Sequence, residues 1–173
     1  PKVAEQASSR FKLNYYLEKR SSEKYAKEAV KYYEKFPPRD PSELSDVAYN
    51  FYELDVSNKK MLKKALKWTK NTVKTDASLF SYEAMAAVYY KLKKKRKARN
   101  AINQAIDEIL TTTVTEGVVI WKMYNMGIVV KTPTTAFASD VNFRDAERLV
   151  DLLDFTTVSH EHDDHNMETF LND

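Results

Sequence analysis

From Ser8 to Leu110 the apolar positions recur at helical spacing, and chain breakers fall between the runs. Ala26, Ala29, Val30 and Tyr33 form one stripe, closed by Phe36-Pro37-Pro38. Leu62, Ala65, Leu66, Thr69 and Val73 form a second, followed by Asp76. Ala98, Ala101, Ile102, Ala105, Ile106 and Ile109 form a third, with a clean i, i+3, i+4 rhythm. Two aromatic-rich segments, Leu44 to Leu54 and Leu79 to Leu92, lie between them. Isolated helices of this length are marginal in water, so the pattern predicts helices packed on one another.

After Thr111-Thr112-Thr113 the period changes. Val118 to Trp121 and Ile128 to Val130 are short β-branched runs, each preceded by a glycine, and both predict strands. Thr134 to Ser139 predicts a third strand, ending at Asp140. Phe143 to Leu153 carries a helical stripe in Ala146, Leu149, Val150 and Leu153. Phe155 to Val158 predicts a last strand, which runs directly into Ser159-His160-Glu161-His162-Asp163-Asp164-His165.

Charge divides the chain in the same place. Residues 1–110 contain 24 Lys+Arg against 14 Asp+Glu, and the remainder contains 4 against 11. Two compositional regimes meeting near residue 112 predict two modules, 1–112 and 113–173. The chain opens on Pro1 without a methionine, as expected of a processed or trimmed form. No apolar stretch approaches the ~20 residues that span a bilayer, so no membrane span is expected. There is no cysteine, which excludes disulfides and thiolate metal sites and leaves His, Asp and Glu as metal ligands.

The helical module repeats. A shift of 33 residues brings Ala65 onto Ala98, Val73 onto Ile106 and Tyr49 onto Tyr82, with small Thr72 falling on Ala105. Tyr82, Ala86, Tyr89, Ala98, Ile102 and Ala105 resemble the tetratricopeptide pattern, and Ala26, Val30, Tyr33 and Pro38 resemble it more loosely. The hairpin around Asp55 to Lys60 departs from it by a few extra residues. The resemblance covers residues 8–110 and implies helical hairpins that bind a protein or peptide along one face. Tyr15, Tyr16, Tyr32, Tyr33, Tyr49, Tyr52, Tyr82, Tyr89 and Tyr90 would line such a face, although amphipathic rings also suit the seams between helices, and that is the simpler expectation. Lys93 to Lys97 and the earlier Lys59, Lys60, Lys63 and Lys64 fall at equivalent turns. Solvated turns account for them, so nucleic acid is not expected as a partner.

The second module ends in chemistry. Side chains two apart in an extended segment point the same way, so His160 and His162 can grip one ion, with Asp164 continuing the spacing and His165 beside it. GVVIWKMYNMGIVVKT, the strand to Asp140 and FTTVSHEHDDH together resemble the amino-terminal part of metallo-β-lactamase-fold hydrolases. The whole chain is therefore expected to be mainly α, with tetratricopeptide-like hairpins followed by a partial α/β segment like the first half of a metallo-β-lactamase αββα sandwich. The resemblance implies a zinc site of one or two ions. It gives His160 and His162 to a first metal, and Asp164 and His165 to a second. Asp164 also orients the attacking water or receives a proton. Asp163 stands where the family commonly has a small or neutral residue, and adds negative charge.

The same resemblance implies further histidine ligands from later loops, and none follows His165. The expectation is a truncated metal-dependent hydrolase, not catalytically complete as it stands, whose half-sandwich exposes a sheet edge and an apolar face. Two other readings compete. One is a non-enzymatic tetratricopeptide-like binding module with a vestigial β segment. The other is a homo-oligomer in which two chains each contribute half a ligand set.

Overall fold

A computed structural model describes residues 2–122, 127–141 and 146–159. The chain is mainly helical, with a small four-stranded sheet towards its C-terminus. It divides into two compact units, Pro1–Ala77 with Ser81–Ala101, and Ser78–Phe80 with Ile102–Asp173.

The first unit holds α1 (Lys2–Glu18), α2 (Ser22–Lys35), α3 (Glu43–Glu53), α4 (Lys59–Thr75), most of α5 (Leu79–Lys91) and the start of α6 (Lys95–Thr111). Within it α1 packs on α2 and α3 on α4, with α2 also touching α3 and α4. Three of its turns share one backbone form. In each, a residue in the left-handed region follows the helix: Arg20 (φ 48), Asp55 (φ 56) and Lys93 (φ 61). The next amide reaches back five residues, Ser21 to the Tyr16 carbonyl, Val56 to Phe51 and Lys94 to Tyr89, at 2.9 Å each time. This satisfies carbonyls that a helix end leaves open, and it turns the chain sharply into the next helix. Side chains lock the second turn further. Asn58 accepts from the Lys60 and Met61 amides as an N-cap, and Glu23 on α2 accepts from the Ser57 and Asn58 amides.

The turns also correct the repeat register. α4 and α6 begin at Lys59 and Lys95, 36 residues apart, so Ala65 falls on Ala101 and not on Ala98. Ala29, Ala65 and Ala101 are all buried, as are Ala26, Ala48 and Ala84, and their small size lets helices approach closely. Large rings fill what remains. Phe51 stacks edge-on to Tyr25 (5.9 Å between centroids) and Trp68 (6.1 Å), while Asn50 donates to the Tyr25 hydroxyl. Tyr25, Tyr32, Tyr33 and Tyr89 are buried, which places four of the tyrosines in seams.

A polar network joins α1, α2 and α3. Arg10 donates to the Tyr33 hydroxyl (3.0 Å) and to Glu43, and the Tyr33 hydroxyl donates to Glu43 at 2.6 Å. Burial pushes the Tyr33 hydroxyl up, and the bond it donates to Glu43 adds to the rise. Burial works to raise the Glu43 carboxyl, but the hydrogen bonds from Tyr33 and Arg10 outweigh it and hold the group below its usual 4.5. A depressed carboxyl stabilises the fold above its unfolded value, and that stability is lost as pH falls through the folded value. Urea midpoints should therefore drop from about pH 4.5 downward, and a Glu43→Gln variant should show a smaller drop across that window. Equal slopes in the two proteins would contradict this assignment.

In the second unit, β1 (Val119–Lys122), β2 (Ile128–Lys131) and β3 (Ala136–Ser139) form an antiparallel meander. β4 (Phe155–Thr157) then lies parallel to β3, at the edge of the order β1-β2-β3-β4. The third strand starts later than the sequence pattern predicts. Thr132 accepts from the Thr134 and Thr135 amides and spends those residues in a turn. The helical stripe expected over 143–153 includes a 3-10 helix, α7 (Ala146–Leu152), between β3 and β4, while 143–145 lie outside the described residues.

One sheet face carries the row Trp121, Val129, Ala138 and Thr156. The C-terminal half of α6 serves this face. Glu108 accepts from the Trp121 indole at 2.6 Å, and Lys131 donates to the Thr112 carbonyl at 2.5 Å, where a cation suits a helix end. Arg148 on α7 pairs with Asp107 on α6. The opposite face carries Ile120, Val130, Phe137 and Phe155, with the last two rings stacked at 4.9 Å. Ile120 and Phe155 are 60% and 50% exposed, whereas Val130 between them in the row is buried.

Candidate metal loop

β3 and β4 run parallel, so their carboxyl ends lie side by side, the place where open α/β sheets bind ligands. Asp140 ends β3. It is buried, and it takes a left-handed backbone (φ 52), a region that Asp tolerates better than most residues. Its amide donates to the Thr157 carbonyl at 2.9 Å, continuing the pairing past the strand. Its carboxylate accepts from the Ser159 amide at 2.7 Å and from the Ser139 hydroxyl at 3.2 Å. Asp140 thus fixes the chain at Ser159, the residue before His160. At the other end of the crossover Asp154 plays a similar part, exchanging hydrogen bonds with the Ala136 backbone at 2.8 Å in both directions.

His160, His162, Asp164 and His165 themselves lie outside the described residues, as does Asp163. Among the described residues no group of three His, Asp or Glu is gathered as a metal would need. No family model, curated protein or solved structure matches the chain.

Sequence patterns identify Asp140 only as the end of a strand. Its left-handed φ and its reach across to Ser159 depend on which strand lies next to β3, which no local pattern encodes. In the helical unit, the exposed rings among the described residues are Phe11, Tyr15, Tyr52 and Tyr90. Tyr52 on α3 and Tyr90 on α5 occupy the same place relative to their turns, one residue after the carbonyl that receives the backward hydrogen bond, and contact edge-on at 6.3 Å. Among the described residues no helix is long and apolar enough to cross a membrane.

Proposed function

We propose that this chain carries the first part of a metallo-β-lactamase-type, metal-dependent hydrolase site, joined to a tetratricopeptide-like module that binds protein. The observation that supports it is the delivery of the HEHDDH segment directly from β4, with Asp140 holding the residue before it. In this reading His160 and His162 bind a first zinc ion, and Asp164 and His165 a second. A zinc ion held there supplies a hydroxide nucleophile near neutral pH. Asp164 orients the attacking water and takes its proton. The substrate class is an ester, amide, phosphodiester or thioester. The remaining ligands come from other chain, either further sequence or a second copy that pairs through the exposed Ile120 and Phe155 face.

Zinc titration by calorimetry tests this. Heat should appear with this chain and fall sharply in a His160→Ala/His162→Ala variant. Equal heat in both would remove the histidines from the site. A second reading, a protein-binding module without catalysis, is favoured by the exposed Tyr52 and Tyr90 pair; absence of zinc binding with a folded helical unit would select it.

A further inference from the structure

The outer surface of α4 is unlike that of its neighbours. The helix carries seven lysines (59, 60, 63, 64, 67, 70 and 74) and no acidic residue. Elsewhere in the unit Lys35 pairs with Glu5 and Lys91 with Asp55, and on α4 itself Lys64 pairs with Glu34. Among the described residues Lys63, Lys67 and Lys74 form no ion pair, and Lys70 sits over the Tyr89 ring at 5.9 Å. These four lysines, with Leu66, Asn71 and Val73 between them, border a shallow open groove along this one helix. Like charges three and four residues apart repel and weaken a helix, so an uncompensated stripe works against the fold unless something neutralises it.

We propose that this groove docks an acidic segment of a partner protein. Successive lysines at 63, 67, 70 and 74 rise about 6, 4.5 and 6 Å along the axis. Carboxylates on alternate residues of an extended peptide recur about every 6.6 Å, close enough for flexible lysine stems to meet each one. Intervening apolar side chains rest on the half-buried Val73. Nucleic acid fits less well: the groove has no arginine to fork a phosphate and no exposed ring on which a base would stack. The proposal names a partner class for the protein-binding reading, and moves the contact from the tyrosine face of α3 and α5 to α4.

The test is a fluorescence-anisotropy titration of the whole chain with a labelled peptide of four Glu-Leu repeats, at physiological ionic strength. Reversing the groove with Lys63→Glu, Lys67→Glu and Lys74→Glu should weaken binding by about tenfold or more. Reversing three exposed lysines elsewhere, Lys12→Glu, Lys24→Glu and Lys27→Glu, changes net charge equally and should cost far less. Circular dichroism confirms that both variants are helical; if the groove variant is not, Lys67→Gln alone replaces it and should still weaken binding measurably. Equal losses in the two reversals would reduce the effect to net charge and overturn the proposal. Undiminished binding in the groove variant would also overturn it, while leaving protein binding to another face. Tighter binding of oligothymidylate, lost in the groove variant, would replace the acidic peptide with nucleic acid.

Discussion

Replacing Phe51 with alanine should destabilise the helical unit by roughly 3–5 kcal/mol, the cost of emptying a fully buried aromatic site. Phe51 is wholly buried, and it bridges Tyr25 on α2 and Trp68 on α4. Its carbonyl also receives the Val56 amide that closes the α3–α4 turn. The residue therefore joins three helices at the point where the chain reverses. With a urea slope of about 2 kcal/mol per molar, the midpoint should fall by about 2 M. Tyr52→Ala, one residue away and 37% exposed, should stay within about 1 kcal/mol of the parent. Comparable losses from the two substitutions would show that the core is not centred where Phe51 sits.

The second large effect concerns the loop. Asp140→Ala should weaken zinc binding by about 10–100-fold, the usual range when a residue supporting metal ligands is removed. Alanine loses the acceptor for the Ser159 amide, and it also tolerates the φ of 52 poorly. Asp140→Asn keeps an acceptor and a residue type at ease in that conformation, so it should lose much less. Thermal melting of each variant separates the two causes. A fall in zinc affinity with unchanged melting marks Asp140 as a positioning residue. A fall in melting alone, with zinc affinity intact, would make it merely structural.

Much of the architecture is legible in the sequence because burial follows period. The stripes at Ala26–Tyr33, Leu62–Val73 and Ala98–Ile109 all lie on helices that carry them as one face. The repeat register is harder to find for a physical reason. A shift of 33 differs from the observed 36 by three residues, nearly one helical turn, so both shifts lay similar residues on the same face. The hairpin turns are hidden for another reason: their left-handed positions carry Arg20, Asp55 and Lys93, where glycine would have signalled a helix end. The crossover at Ala146–Leu152 shows an apolar stripe that fits an α-helix and a 3-10 helix alike, so the period does not tell them apart. The role of Asp140 arises from pairing between β3 and β4, distant in sequence, and the composition of either strand says nothing of it.

The account rests on His160 and His162 reaching a common ion. X-ray absorption at the zinc edge, recorded on the zinc-loaded chain, tests this most directly. The predicted result is a first shell containing imidazole nitrogens at about 2.0–2.1 Å, with the outer-ring scattering that imidazole produces, both strongly reduced in the His160→Ala/His162→Ala variant. A shell of water and carboxylate oxygens alone, unchanged by that substitution, would contradict it.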